Sequence, residues 1–572
     1  MELTLVGVLA VIAIVGVAVF SGRLGVAAPL LLVIVGVGLS FLPRIPDVEI
    51  PPELILAGVL PPLLYSAAVN MPAQDFRRNF KPITALAVLL VVVTTLGTGW
   101  FFHTLIPDLG WPAAFALGAV ISPTDAVAAT SIGKKLGLPS RVVAVLEGEG
   151  LVNDASALVL LRSAVAALGG SVSLWGVAGD FAFAVVVAVA IGLVVGYVNV
   201  RIRGLLDDPV LTTAISLVVP FIAYLPAEEA GASGVLSVVV AGLVTGHQAS
   251  QHLGAQDRIA EAINWRTLAF LLEGAVFLLM GLELKKSIDD VRESSFSTWH
   301  AVGLGLLAAA IVILLRIAFV APMVALLRRD TRRAHESIPR LGKLRARLDA
   351  REPDDVLTER RLRHMQARMT RASADLAFKL NETLGWRGGV VLGWAGMRGA
   401  ITVAAAQTLP SDTPHRPQLI LIAFVVAGTT LLLQGFTLPA VIRMAKVAPD
   451  DQGRLRGEYE QLVAELREAA VEALHDPAVV GTGQTRVPEA VIDMVRSDSI
   501  VGRGRIQSDT EVEQHGRAEY FRVRMAVLAA ERNALLRVRK LGVFSSQALT
   551  HAQHLLDLEE ARLEQLNLDE PE

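Results

Sequence analysis

The chain has 572 residues, of which 53% are hydrophobic and only 19% are charged. A soluble chain of this length carries roughly a quarter charged residues. Its apolar residues come in blocks of about twenty, the length of helix that crosses a bilayer core. The net charge of −3 offers no basic surplus for nucleic acid, and the absence of cysteine excludes disulfides and thiolate metal sites. The composition therefore predicts an all-α protein that crosses the lipid bilayer many times.

The apolar blocks predict about thirteen membrane helices. The first block begins Met1-Glu2-Leu3 with no positive segment before it. We therefore expect a retained helix rather than a cleaved signal peptide. In chain order the expected spans are 3–20, 25–42, 53–69, 82–106, 111–132, 142–168, 174–200, 210–225, 232–250, 268–284, 300–327, 388–409 and 418–445.

The connecting loops alternate in positive charge. Basic residues lie at Arg23 and in segments 77–81, 134–141 and 201–203, and the loops between these hold few or none. Only the basic residues in 285–292 break the alternation. Because positive loops stay in the cytoplasm, we expect an outside N-terminus, a cytoplasmic C-terminus and residence in the plasma (inner) membrane.

Two polar stretches stand apart from the apolar blocks. We assign the membrane domain to residues 1–445. Within it, residues 328–387 are predicted to form a basic, helix-prone cytoplasmic loop. Residues 446–572 follow as a tail in which apolar residues such as Leu455, Tyr459 and Leu462 recur at helical spacing. The simplest interpretation is a small cytoplasmic helical domain, and a regulatory or dimerising role is the alternative. No motif in the tail identifies an effector.

Two acidic stretches lie inside apolar blocks, at Asp125 and at Glu147–Asp154. Acids within a membrane are costly and usually mark an ion or proton path. If the helix that carries Asp154 enters at Arg141, the carboxylate lies about 20 Å along it. That is near the middle of a core about 30 Å thick. The preceding helix runs the opposite way and brings Asp125 to a similar depth.

Pro123 disturbs the helix just before Asp125, since it cannot donate a backbone hydrogen bond. The freed carbonyl groups near Thr124 are then available as ion ligands, as in the broken helices of transporters. The pattern predicts an oxygen-lined site for a monovalent cation made by Asp154, Asp125 and Thr124, with Glu149 as a further candidate.

A buried carboxylate whose pKa lies near cytoplasmic pH lets a proton and a cation compete for one site. Such competition, combined with alternating access, gives antiport without covalent chemistry. The alternative is that these acids only pair with buried arginines. Glu149 fits that alternative better than Asp154 does, because a partner arginine is available for it.

Two arginines interrupt late apolar blocks, Arg316 and Arg398. A buried arginine stays charged and needs a carboxylate. We expect Arg398 to pair with Glu149 and Asn153, and Arg316 to pair with Glu273. Both pairs would be structural.

Together these motifs resemble the sodium/proton exchanger branch of the monovalent cation:proton antiporters, of bacterial type. The resemblance covers the membrane part of the chain. It is carried by Ser122-Pro123-Thr124-Asp125-Ala126, Glu149-Gly150-Leu151-Val152-Asn153-Asp154, Gly396-Met397-Arg398-Gly399, Leu60-Pro61-Pro62-Leu63-Leu64-Tyr65, Ser233-Gly234-Val235-Leu236 and Phe277-Leu278-Leu279-Met280-Gly281-Leu282.

The resemblance implies about thirteen helices with an inverted repeat, a core domain and a separate domain that forms a homodimer. It implies a transported Na⁺ (or Li⁺) bound at Asp154 beside Asp125 and Thr124, with Glu149, Asn153 and Arg398 as a supporting network. The pair Asn153-Asp154 resembles the corresponding pair of the electroneutral branch. Members of that branch exchange one cation for one proton in pH and sodium homeostasis. No cofactor is expected beyond the transported Na⁺ and H⁺.

One position departs from the family pattern. Relatives usually carry serine where this chain has Gly150, so a side-chain oxygen is missing and the choice between Na⁺ and K⁺ stays open. A K⁺/H⁺ antiporter of the same fold is therefore an alternative, and a cation channel gated by its tail is the alternative of another class. An enzyme is not expected, because no nucleophile–base pair or phosphate-binding glycine loop is present.

Overall fold

The computed structural model describes residues 2–42, 51–169, 174–293, 297–349, 356–382, 384–481, 487–498 and 514–568. All regular structure in these ranges is helical, which confirms the all-α prediction. Two π-helical segments, Leu54–Val59 and Ala85–Leu90, lead directly into α3 and α6. The α-helices are α1 (Glu2–Leu24), α2 (Ala28–Ser40), α3 (Leu60–Asn70), α4 (Ala73–Arg78), α5 (Phe80–Thr84), α6 (Val91–Leu105), α7 (Trp111–Ile121), α8 (Val127–Lys135), α9 (Ser140–Ala166), α10 (Leu174–Arg203), α11 (Pro209–Glu229), α12 (Gly234–His252), α13 (Ala255–Leu282), α14 (Leu284–Arg292), α15 (Thr298–Asp349), α16 (Val356–Asn381), α17 (Trp386–Trp394), α18 (Ala400–Gln407), α19 (Arg416–Ala445), α20 (Gln452–His475), α21 (Pro477–Val480), α22 (Glu489–Asp498), α23 (Gln514–Leu541) and α24 (Ser546–Leu568).

Seven helical segments of the described chain are long and apolar enough to cross a membrane. Three shorter apolar helices accompany them, and the protein is therefore a multi-pass membrane protein. The number of about thirteen spans stays a prediction. The seven segments are Gly7–Leu24, Phe80–Leu105, Trp175–Arg203, Pro209–Glu229, Ala255–Arg292, Thr298–Arg333 and Arg416–Ala445.

Several helices extend beyond the apolar blocks that predicted them. α13 begins at Ala255 rather than at residue 268, and α15 continues to Asp349 rather than ending at residue 327. The first part of the expected basic loop is therefore the end of one long helix, and α16 forms much of the rest. A charged residue marks the end of an apolar block in the sequence, but the helix can continue past it. Arginine, leucine and alanine are all strong helix formers.

The membrane helices pack into two groups. Group A contains α1–α3 and α10–α13, and group B contains α5–α9, α15 and α17–α19. Small residues allow close packing within group A. Gly36 of α2 and Gly281 of α13 face each other, and a Cβ at Gly281 would lie 2.7 Å from the Cα of Gly36. Small residues at such contacts are a common means of helix association in membranes.

Two helices of group B are interrupted, and the interruptions meet. Residues 122–126 separate α7 from α8, as Pro123 predicted, and residues 395–399 separate α17 from α18 inside an expected continuous span. The Asp125 N–H donates to the Met397 carbonyl at 2.7 Å. Non-helical backbone at membrane depth is stable only where protein or a cavity surrounds it, and here each interruption supplies hydrogen-bonding partners to the other.

Helices α20–α24 pack around two apolar cores of their own, formed by side chains such as Leu462, Leu535 and Val527. We call these helices the tail, and the end of the membrane helices that they contact the tail face.

The tail contacts both the end of group A and the short helix α4. Asp557 of α24 pairs with Arg258 of α13 at 2.5 Å. Ser546 donates to the Asp75 carboxylate at 2.7 Å, and Arg78 donates to the Gly542 carbonyl at 2.7 Å. Because α4 joins α3 of group A to α5 of group B, the tail lies across the junction of the two groups.

Helix α16 adds a second layer of contacts on the tail face. Its Asp375 pairs with Arg78 at 3.0 Å, and Glu382, which directly follows α16, pairs with Arg454 of α20 at 3.4 Å. Arg141, at the start of α9, donates to the Glu382 carbonyl. Helix α16 therefore links the tail to group B.

Cross-linking tests this arrangement, and the absence of native cysteine gives it a clean background. The double variant Ser546→Cys with Asp75→Cys should be joined in high yield by a short thiol-reactive cross-linker, because the two side chains are in contact. Linked tryptic peptides would be measured by mass spectrometry.

Ser546→Cys with Asp180→Cys is the matched control. Asp180 is exposed near the start of α10, about 35 Å along that helix from its end at the tail face. Absence of the Ser546–Asp75 link, with both cysteines reactive towards a thiol dye, would contradict the docked position of the tail.

Candidate functional site

A cavity of about 340 Å³ lies between the two helix groups. Group B contributes Thr124, Asp125 and Asp154, so the three predicted ion ligands line one cavity. Group A contributes Glu273 and apolar residues of α3. The cavity extends towards the tail face, where Lys134 at the end of α8 forms part of its wall.

Asp154 lies midway along α9 and is 7% exposed. In the described part of the chain no basic side chain pairs with its carboxylate, and the charge that acts on it is that of Asp125. A buried carboxylate without a fixed counter-charge is stabilised by binding a proton or a cation. The geometry thus fits the predicted chemistry of Asp154, and its role as a ligand stays a prediction.

Asp125 lies in the interruption between α7 and α8 and is oriented by the backbone. Its Oδ1 accepts from the Val127 N–H at 2.8 Å, at the first turn of α8. The N-terminal end of α18 also approaches it, because a Cβ at Gly399, the residue before α18, would overlap the Asp125 carboxylate. Helix N-termini carry partial positive charge, so two of them stabilise the ionised form of Asp125.

A chain of buried hydrogen bonds connects the interruption to α9 and α15. Asn153 donates from Nδ2 to the Thr124 carbonyl at 2.6 Å and to Thr124 Oγ1 at 3.0 Å. Thr124 Oγ1 donates to Glu149 at 2.6 Å. Arg316 donates to both oxygens of Glu149, at 2.5 and 2.8 Å. Asn153 Oδ1 is buried without a hydrogen-bond partner among the described atoms.

The predicted pairing of the two arginines is wrong. Arg316 pairs with Glu149 and not with Glu273. Arg398 pairs with neither Glu149 nor Asn153. It donates to the carbonyl groups of Ile121, at 3.2 Å, and of Gly396.

The physical reason is the negative end of each interrupted helix. The last carbonyl groups of a helix have no partner within it and carry partial negative charge. Arg398 satisfies this end of α7, and Arg316 also donates from Nε to the Leu392 carbonyl near the end of α17, at 2.9 Å. Backbone carbonyl groups accept the hydrogen bonds of Arg398. This arginine therefore has no carboxylate partner, although the sequence analysis expected one for each buried arginine.

Three further acidic or small residues line the cavity. Glu273 has no arginine partner in the described chain. Glu147 pairs with Lys134 at 2.7 Å. At Gly150, an added Cβ would lie 3.0 Å from the Cβ of Ala126. A serine there would therefore press on the interruption between α7 and α8, and glycine allows α9 to approach it closely.

Sequence reasoning missed a second buried ion pair, which lies within group A. Arg203 and Glu261 are joined by two hydrogen bonds of 3.1 and 2.8 Å. Both residues were assigned to loops, because the apolar blocks end before them. Strong helix formers surround both residues and favour continuation of α10 and α13 beyond the apolar blocks. That pattern in the sequence could have revealed the pair.

No group of three or more His, Asp or Glu side chains in the described ranges has the geometry of a resident metal site. The cavity instead places two carboxylates at the meeting point of two interrupted helices, between two packed helix groups. Transporters that exchange ions by alternating access are built in this way. The fold and site therefore define a secondary ion transporter.

Comparison with known proteins identifies the family. Residues 8–444 match the family described as "Sodium/hydrogen exchanger, transmembrane", and the chain belongs to this family. An uncharacterized Na⁺/H⁺ exchanger of Mycobacterium tuberculosis is 30% identical, covering 97% of this chain and 96% of the relative. A "sodium, potassium, lithium and rubidium/H⁺ antiporter" of Bacillus pumilus is 28% identical, covering 72% of this chain and 57% of the relative.

A solved structure supports the fold. The sodium proton antiporter MjNhaP1 of Methanocaldococcus jannaschii, determined at pH 8, matches with a TM-score of 0.55 at 16% identity. The match covers 79% of this chain and all of that one.

Substitution of Glu149 tests the corrected ion pair. Glu149→Gln leaves the Arg316 charge buried without a counter-charge, which costs about 3–5 kcal/mol. We expect a lower melting temperature of the detergent-solubilised protein. Glu273→Gln is the matched control and should leave the melting temperature near that of the wild type. An equal decrease in melting temperature for both substitutions, or a decrease for Glu273→Gln alone, would contradict the Arg316–Glu149 pair.

Proposed function

We propose that the protein is a secondary active antiporter that exchanges Na⁺ or Li⁺ for H⁺ across the membrane by alternating access. The observation that carries this proposal is the buried Asp154 carboxylate, which faces the cavity beside Asp125 with no basic partner among the described residues. Membership of the sodium/hydrogen exchanger family supports the choice of ions.

The cavity supports a simple exchange cycle. A cation enters from the tail face and displaces the proton of Asp154. Asp125, held by the Val127 N–H, supplies a second carboxylate to the cation. Movement of group B relative to group A then exposes the site to the opposite side, where a proton replaces the cation.

Charge counting supports a ratio of one cation to one proton. The Asp154 carboxylate is neutralised by a single positive charge in either loaded state. Asn153 adds no charge, and the Glu149–Arg316 pair is neutral and already hydrogen-bonded. The loaded site therefore carries the same charge with either ion, and we propose electroneutral exchange.

A carrier fits the cavity better than a channel. The α9 residues that line the cavity lie between Glu147 and Asp154. Residues 155–166, the later half of α9, lie within the described part of the chain, and none of them lines the cavity. The cavity thus connects one face with mid-depth, whereas a channel needs a continuous path.

K⁺/H⁺ exchange is the second candidate. The Bacillus pumilus relative is named for sodium, potassium, lithium and rubidium. Gly150 supplies no hydroxyl to the cavity wall, so less protein oxygen surrounds the cation and the site discriminates less by ion size.

We further propose a membrane transport domain at residues 1–445, including the cytoplasmic basic helical loop expected at residues 328–387, and a regulatory cytoplasmic tail at residues 446–572. The contacts of the tail with Arg258, Asp75 and Arg78 support a regulatory role, since they lie across the junction of the two groups. The basic residues of the tail face support a cytoplasmic location, with the N-terminus outside and the protein in the plasma membrane. The family resemblance supports a homodimer and a role in pH and sodium homeostasis.

Reconstitution in vesicles that contain a pH-sensitive dye tests the proposed exchange. Addition of Na⁺ or Li⁺ to vesicles with an acidic interior should raise the internal pH, and clamping the membrane voltage should not change the rate. Potassium added in the same way measures the second candidate. No cation-dependent proton movement would refute antiport, and cation entry without coupled proton movement would favour the channel.

The same assay tests the proposed role of Asp154. Asp154→Asn should abolish exchange, because the amide cannot alternate between a proton and a cation. Glu229→Gln, which removes an exposed charge at the end of α11, is the control and should exchange at the wild-type rate. Persistent exchange by Asp154→Asn would remove Asp154 from its central role.

A further inference from the structure

Glu273 faces the ion site from the opposite helix group. It lies on α13 of group A, whereas Asp125 and Asp154 belong to group B. Val276 and Phe277, three and four positions further along, line the same cavity. Positions with this spacing share one face of a helix, so one face of α13 forms this wall.

The side of α13 next to this face packs within group A. A Cβ at Gly274 would lie against Ile14 of α1, at 2.6 Å from its Cγ2. Such close packing leaves α13 little freedom relative to α1. Glu273 is therefore held on the wall of group A and does not travel with the carboxylates of group B.

The charge of Glu273 is not neutralised by a basic neighbour in the described chain. Arg316 is occupied by Glu149, and Arg398 by backbone carbonyls. Lys134, which lines the same cavity, pairs with Glu147. The charge that interacts with Glu273 is that of Asp125, which has the same sign.

We propose that Glu273 sets the affinity of the transport site for cations from the wall of group A. The inference rests on the proposed antiport. The carboxylates of Asp125, Asp154 and Glu273, which have no basic partner among the described residues, line one small cavity and create a negative potential that concentrates cations. Because Glu273 belongs to the other helix group, it strengthens binding while the cavity is open to the tail face. Movement of group B then separates it from Asp125 and Asp154 and favours release on the other side.

The substitution Glu273→Gln tests this role at alkaline pH, where carboxylates are ionised. In proteoliposomes at low ionic strength, the KM for Na⁺ should rise on the order of tenfold, the change expected for losing one nearby charge in a partly buried site. The maximal rate should stay close to that of the wild type. Choline chloride should reduce the effect, since salt screens a charge exposed to a water-filled cavity.

Two comparisons separate charge from structure. Glu273→Asp keeps the charge and should restore most of the affinity, and Glu229→Gln should leave the KM unchanged. Everted membrane vesicles, which present the tail face to the bath, should show the increase in KM, and right-side-out vesicles should show little of it.

The outcomes distinguish this inference from the function on which it rests. If the wild type does not exchange cations for protons, the proposed function fails. If the wild type exchanges and Glu273→Gln keeps the wild-type KM, only the role of Glu273 is refuted. Loss of all exchange by a stably folded Glu273→Gln would also refute it, because an affinity residue is not indispensable. An equal increase in KM on both faces would refute the separation of the two walls.

Discussion

The structure depends on the meeting of two interrupted helices inside group B. The Asp125 N–H bonds to the Met397 carbonyl, and Arg398 bonds to the Ile121 carbonyl at the end of α7. Without these contacts the unpaired backbone groups would face hydrocarbon, which no membrane protein tolerates. The crossing also creates the site, because two positive helix ends approach the Asp125 carboxylate there. The same contacts thus stabilise the interrupted helices and form the proposed ion site.

The charged residues near the crossing divide into a fixed set and an exchangeable set. Glu149 and Arg316 neutralise each other in a buried pair, and Thr124 and Asn153 connect that pair to the interruption. Asp154, one position beyond Asn153, takes no part in this network. In the proposed mechanism this separation is essential, since a site that exchanges H⁺ for a cation must lack a permanent counter-charge.

Sequence reasoning located the acidic site and the break at Pro123, because Asp125 and Asp154 are conspicuous inside apolar blocks. It did not find the partners of the arginines. The rule that each buried arginine needs a carboxylate overlooks backbone carbonyls, and these became available only through the break at residues 395–399. Glu273 was assigned to Arg316 for the same reason. The polar ends of α13 and α15 were not predicted, because hydropathy marks where charged residues begin and not where a helix ends. The Arg203–Glu261 pair was missed for the same reason.

In the proposed mechanism, Asp154 holds either a proton or a cation. Proton release tests it most directly. Na⁺ is added to the detergent-solubilised protein in weakly buffered solution, and the pH is followed with an indicator dye. We expect about one proton to be released for each cation bound by the wild type, and none from Asp154→Asn. Cation binding by the wild type without proton release, or equal release from both proteins, would contradict it.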